Sequence, residues 1–373
     1  MTMTAAFLKR FLPSLLLLWG LPAVAACDWP GWQQYKQLYI SDEGRVIDPS
    51  SPKRITTSEG QSYGLFFALV ANDRPMFDKL LTWTENNLAA GDLNEHLPAW
   101  LWGEDDKKNW KVLDSNTASD SDLWIAYNLL EAGRLWQDPR YQTLGTQVLQ
   151  RIGREEVVDI PGLGTMVLPG KIGFVADNQW RLNPSYLPPQ LMARFSSING
   201  PWKAVQKTSQ RLLLETAPRG FSPDWVVWQP DKGWLPDSVK PNIGSYDAIR
   251  VYLWAGMLAE DDPHKAALVK QFQPMVNFVV QQAAPPEKVD TATGKTTAEG
   301  PAGFSAALLP LLADHPEALA VQRQRIEDNP LSNKAYYDAS LLLFGQGWDQ
   351  QRYRFNRQGE LQPSWSGQCV TSD

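Results

Sequence analysis

The chain has 373 residues, 35 basic and 41 acidic, for a net charge of −6. No basic stripe runs through it, which argues against nucleic acid as a partner and favours a neutral substrate. Its 17 tryptophans and 11 tyrosines are many for a chain with no long apolar stretch after the N-terminus, and their flat faces with one polar edge suit sugar rings, although most are expected in the core.

Residues 1–26 carry the pair Lys9-Arg10, the run FLPSLLLLWGLPAV and then Ala23, Val24, Ala25 and Ala26, the layout of a secretory signal. The mature chain is therefore expected to start near Cys27 and to be periplasmic or secreted. Val24-Ala25-Ala26-Cys27 also matches a lipoprotein processing site, which would anchor the protein instead. No linker, low-complexity tract or charge block divides residues 27–373, so one domain is expected.

Residues 29–40, WPGWQQYKQLYI, read as a short helix. From residue 59 onward a pattern recurs: a loop rich in Gly, Pro, Asn and Ser, an apolar helix, a short turn and an amphipathic helix. SEGQSYGLFFALVAN precedes MFDKLLTWTENNL across Asp73-Arg74-Pro75, and SDSDLWIAYNLLEAGRLW precedes RYQTLGTQVLQRI across Asp138-Pro139. NPSYLPPQLMARFSSI is followed by WKAVQKTSQRLLLE, SYDAIRVYLWAGMLA by HKAALVKQFQPMVNFVVQQ, and PAGFSAALLPLLA by EALAVQRQRIED. A sixth apolar segment, NKAYYDASLLLFGQGW, has no follower. The β-prone patches GTMVLPGKIGFV (164–175) and WVVWQP (225–230) read as short hairpins.

Helices that are apolar nearly all round belong inside and amphipathic ones outside. The sequence thus predicts an all-α fold, an (α/α)6 barrel of six inner and six outer helices, with the first helix packing on the sixth apolar one and the hairpins on the loop face. Closure of the ring brings the chain ends together. That favours a Cys27 to Cys369 disulfide in an oxidising compartment, the alternative being two unrelated thiols.

Glu59 admits two accounts. Thr56-x-x-Glu59 and Ser58-x-x-Gln61 both match the capping box that opens helices. Acids also open the second and fourth inner helices, at Asp120 and Asp122 and at Asp247, and the barrel would aim all of these at one face. Paired carboxylates in different protonation states are what glycosidic bond cleavage needs. Arg250, three residues after Asp247, would help to keep that carboxylate ionised. His96, His264 and His315 are scattered and form no ligand pair, so neither a metal nor a cofactor is expected.

TASDSDLWIAYNLLEAGRLW, residues 117–136, resembles the signature of glycosyl hydrolase family 8, with Ser119, Ser121 and Asn128 as mild departures. SEGQSYG and SYDAIR resemble the other two active segments of that family, and the similarity extends over the mature chain. It lies nearest to the periplasmic branch associated with bacterial cellulose synthesis. The resemblance implies an endo-β-1,4-glucanase that inverts the anomeric carbon, with Glu59 as general acid, Asp247 as general base and Asp120 touching the central sugar and positioning water. It also implies a monomer without cofactor, acting on a β-1,4-glucan chain and working beside a cellulose synthase and export complex. Position on the loop face adds Trp100, Trp102, Tyr186, Tyr246, Arg250, Tyr336 and Tyr337 as sugar-binding candidates, while Trp124 and Trp254 are expected in the core. Two other readings are a polysaccharide lyase on a similar barrel and a non-catalytic glucan-binding subunit of an export machine.

Overall fold

The computed structural model describes residues 28–332 and 335–367. Cys27, Cys369 and the signal segment lie outside them, so the expected disulfide and leader are not among the described features. The described helices, in chain order, are α1 (Pro30–Tyr39), α2 (Ser58–Val70), α3 (Arg74–Leu88), α4 (Ser119–Leu135), α5 (Pro139–Glu155), α6 (Pro189–Phe195) and α7 (Trp202–Glu215). They continue with α8 (Ala248–Gly256), α9 (Lys265–Gln271), α10 (Gln273–Gln282), α11 (Ala302–Leu308), α12 (Pro316–Glu327) and α13 (Tyr336–Asp349).

Helix α2 packs on α4, α4 on α6, α6 on α8, α8 on α11, α11 on α13, and α13 returns to α2. This closes the inner ring. Each inner helix carries an outer mate: α3 on α2, α5 on α4, α7 on α6, α9 on α8, α12 on α11 and α1 on α13. The (α/α)6 barrel expected from the apolar repeat is therefore the observed fold. Burial explains the division, because α2 is buried on all sides, whereas α5 buries only Tyr141, Gly145, Val148, Leu149 and Ile152, a one-sided stripe at helical spacing.

Aromatic side chains from four inner helices meet on the axis. Phe66 of α2 lies 5.1 Å from both Trp124 of α4 and Phe344 of α13, and Trp254 of α8 lies 5.4 Å from Trp124 and 5.3 Å from Phe344, centroid to centroid. Each such ring, fully buried, contributes about 1.5–3 kcal/mol of transfer free energy. Trp124 and Trp254 are thus core residues, as expected. The opposite mouth of the barrel is stoppered by a hairpin of Tyr353–Phe355 and Leu361–Pro363, whose Leu361 N–H donates to Glu131 of α4 at 2.9 Å.

Three helices differ from their sequence expectation, each at a proline. The third inner helix breaks into a 3-10 turn, Pro184–Tyr186, and the short α6, because Pro188 and Pro189 cannot donate and force Leu187 out of helical geometry. Pro274 divides the fourth outer helix into α9 and α10, and Pro310 ends α11 early.

Patch 164–175 forms two hairpins rather than one. Gly164–Val167 pairs back with Val157–Ile160, while Val175–Ala176 opens a four-stranded antiparallel sheet continued by Gln179–Leu182, Val226–Gln229 and Gly233–Pro236. Two further sheets, like the C-terminal hairpin, were not foreseen. Thr56–Thr57 pairs with Leu101–Glu104, which pairs with Trp110–Asp114, and Ile243–Gly244 joins Pro286–Asp290 and Thr296–Glu299. Both hold the chain just where it enters an inner helix, α2 in the first case and α8 in the second.

Candidate active site

The three helix openings do not use their acids as caps. Thr57 is the N-cap of α2, its hydroxyl accepting from Gly60 N–H at 3.0 Å, and Glu59 sits one residue inside the helix. Gln61, the other capping candidate, instead accepts from Val46 N–H at 2.6 Å and donates to Gly44, Leu80 and Thr84. Neither capping box forms. At α8, Asp247 occupies the N-cap position without capping, because Asp224 from a preceding loop accepts from Ala248 N–H at 2.8 Å and from Ser245 N–H at 2.7 Å. The N–H groups at these helix starts thus have other partners, which leaves Glu59 and Asp247 to point elsewhere.

They point at Arg250. Its Nη1 donates to Glu59 and, at 3.2 Å, to Asp120, and its Nη2 donates to Asp247 at 2.8 Å. Acids from α2, α4 and α8 therefore meet on one guanidinium. Arg250 is 2% exposed, so the pair with Asp247 is no surface contact between neighbours on a helix. Tyr63 OH accepts from Nη1 at 3.1 Å and Ser185 Oγ accepts from Nη2 at 2.9 Å. The sequence assigned Arg250 to Asp247 alone, whereas the structure shares it among all three acids.

Depth differs among the acids. Asp120 has a side chain 5% exposed, against 18% for Glu59 and 23% for Asp247, so the latter two reach solvent above a buried third. One guanidinium cannot balance three carboxylates, and burial favours retention of a proton in the cluster. Asp120 is pushed up to about 7 by burial and by the charges of Glu59 and Asp247, against the pull of Arg250. Tyr336 donates to Glu59 at 2.8 Å and also contacts Thr57 at 2.7 Å. Burial and the Glu59 charge push its phenol well above the usual range, so it remains a donor.

The sugar-binding candidates separate by exposure. Tyr246, beside Asp247, is 45% exposed and packs edge-on against Phe304, leaving ring surface at the rim. Trp100, Tyr186 and Tyr337 are half-buried, and the Tyr337 hydroxyl donates to the Tyr246 carbonyl. Tyr336 departs from its expectation: at 7% exposed it lies beneath Glu59 and offers its hydroxyl, not its face. Arg250 is likewise buried under the acids. Trp102 is half-buried and stacks on Trp110, centroids 5.3 Å apart, with the Arg45 guanidinium 4.4 Å from its ring.

Sequence reasoning missed Tyr63, Ser185, Asp224 and Trp225. Tyr63 was within reach, since it follows Glu59 by one helical turn and so shares its face. Trp225, whose Nε1–H donates to Asp247 at 3.1 Å, precedes it by 22 residues with three strands between them, and no local pattern connects them.

Residues 6–351 match the family model described as glycosyl hydrolases family 8. An endoglucanase of Escherichia coli O157:H7 is 58% identical over 98% of this chain and 99% of its own length. An endoglucanase of Xanthomonas axonopodis pv. citri is 49% identical over 94% of each chain. The crystal structure of an endo-1,4-D-glucanase from Vibrio fischeri ES114 superimposes with a TM-score of 0.88 at 47% identity, covering 91% of this chain and 99% of that one. With a ring of six helix pairs that opens three acids onto one face, and a family match running through all three helices, the chain belongs to glycosyl hydrolases family 8.

Proposed function

We propose that the chain is an endo-β-1,4-glucanase that cleaves internal bonds of a glucan strand with inversion, Glu59 acting as general acid and Asp247 as general base. The observation that carries this reading is the pair of solvent-reaching carboxylates, Glu59 and Asp247, set on the two nitrogens of one buried guanidinium. The names of the Escherichia coli and Vibrio fischeri relatives supply the substrate class.

In this mechanism Glu59 gives its proton to the departing glycosidic oxygen as that bond breaks. Asp247 takes a proton from water, whose oxygen attacks the anomeric carbon from the opposite face, so the configuration inverts. Asp120 contacts the central sugar and orients the water. Arg250 keeps the three acids in register, and Tyr336 fixes the Glu59 oxygen that Arg250 does not take. Tyr246, Trp100, Trp102, Tyr186 and Tyr337 grip successive glucose units, which supplies the orientation on which the rate depends. The leader-like residues 1–26 support export, where the enzyme acts as a monomer on glucan emerging from a synthase.

A reducing-sugar assay on soluble glucan tests the reading. Glu59→Gln and Asp247→Asn are each expected to lose at least about a hundredfold in kcat while retaining glucan binding. Near-normal turnover in either variant would remove that residue from its role. Hydrolysis by the parent enzyme also separates this reading from a non-catalytic glucan-binding subunit.

A further inference from the structure

The four-stranded sheet on the loop face carries a side-chain chain that ends on Asp247. Asp237, which follows its last strand, is 1% exposed and accepts two bonds from Arg181, Nε to Oδ1 at 2.7 Å and Nη2 to Oδ2 at 3.1 Å. Asp237 is itself pinned by Lys240 N–H at 2.8 Å. Such a two-pronged pair fixes the guanidinium plane. Arg181 then lies 3.9 Å from the ring centroid of Trp225, and Phe174 stacks on the same indole with centroids 5.9 Å apart and planes within 3°. The indole so held sends its N–H to Asp247 Oδ2, the oxygen that Arg250 does not take.

We propose that Trp225, with Arg181 and Asp237 behind it, is the positioning unit that fixes the carboxylate of Asp247 for proton abstraction from water. The proposal rests on the reading of Asp247 as general base. A carboxylate bound at one oxygen by Arg250 alone could rotate about its Cβ–Cγ bond. A second donor on the other oxygen removes that freedom and leaves the remaining lone pairs aimed into the cleft. Indole suits the task because it donates only, and so cannot compete with water for the proton. The sheet, besides packing Leu182, Val226 and Trp228 into the core, thereby helps to position the base.

Loss of the N–H also removes a bond to the Asp247 carboxylate, and the pH dependence of kcat reads that loss. The other charged or titratable groups around Asp247 are Arg250, Asp224, Asp120, Tyr186, Tyr337 and, across the guanidinium, Glu59. None is altered by Trp225→Phe, which keeps an aromatic ring and deletes the donor.

The test is kcat and KM as functions of pH for Trp225→Phe and Arg181→Gln, beside Asp247→Asn. Both positioning variants are expected to lose roughly tenfold to a hundredfold in kcat with KM within about twofold. The acid limb of kcat should shift upward by on the order of half a pH unit or more in Trp225→Phe. An acid limb at its parental position in both variants, with Asp247→Asn inactive, overturns the positioning unit alone, even if kcat falls. Retained hydrolysis in Asp247→Asn overturns the base assignment and this proposal with it. If Trp225→Phe fails to fold, as read by circular dichroism, Arg181→Gln decides by its split of kcat from KM: a kcat within about twofold of the parent overturns the positioning unit.

Discussion

The deepest ionisable pair in the barrel is one that the proposed mechanism does not use. Asp122, two residues beyond Asp120, faces Glu156, and neither Asp122 oxygen has any other bond, while Thr117 donates to the other side of Glu156. Glu156 Oε2 is likewise without a partner, and a proton held between the two carboxyls would satisfy both. Burial, with Glu156 close by, pushes Asp122 well above the usual carboxylate range, and burial pushes Glu156 up to about 7. Because the folded-state values lie above the unfolded ones, the stability contributed by this pair is complete below about pH 4 and is lost as pH rises through about 7. Asp122→Asn keeps a donor for Glu156 and removes one titrating group. Thermal unfolding from pH 5 to pH 8 should therefore cost the parent roughly 1–3 kcal/mol from this source and cost the variant less. Equal pH slopes in the two proteins would show that the pair does not share a proton. The contrast with Glu59 and Asp247 is one of depth: carboxylates at the cleft surface can exchange protons with a substrate, and a sealed pair cannot.

At the scale of helices, the packing is tightest where small residues let backbones approach. Gly345 of α13 faces Ala306 of α11 so closely that a Cβ at residue 345 would lie 1.9 Å from the Ala306 carbonyl oxygen. Backbone cannot swing aside as a side chain can. Gly345→Ala is therefore expected to destabilise the fold by roughly 1–3 kcal/mol or more, seen as a Tm lower by several degrees, and an unchanged Tm would refute this account of the α11–α13 contact. Element type was legible because the apolar helices are apolar on every face and their partners on one. Boundaries were less so: Pro188, Pro189, Pro274 and Pro310 are visible as letters, yet the apolar spacing runs across them and suggests longer helices. The strand pairings Thr56–Thr57 with Leu101–Glu104 and Ile243–Gly244 with Pro286–Asp290 left no trace in the sequence, since strands of two residues carry no alternation to read.

Over the whole molecule, closure of the ring is what converts sequence into chemistry. Glu59, Asp120 and Asp247 are far apart along the chain and become neighbours only because six apolar helices begin on one face. That juxtaposition was legible, since the acids recur at the same point of a repeating unit. Arg250 was legible as a partner of Asp247 but not as the centre of the cluster, a role that depends on how deeply the ring buries it. Trp225, Arg181 and Asp237 were illegible because their contacts are made through a sheet whose strands are distant in sequence. No helix among the described residues is long and apolar enough to cross a membrane, and the aromatic core built by Phe66, Trp124, Trp254 and Phe344 fills the barrel beneath the acids. In the proposed mechanism the reaction is confined to the mouth of the ring, with substrate across Glu59 and Asp247 and water on the far side of the sugar. That mechanism predicts inversion, whereas retention would require one carboxylate to attack the sugar directly. Proton NMR of the first product released from a short cello-oligosaccharide measures this: the new reducing end should appear first as the α-anomer, and its initial appearance as the β-anomer would contradict the acid and base roles given to Glu59 and Asp247.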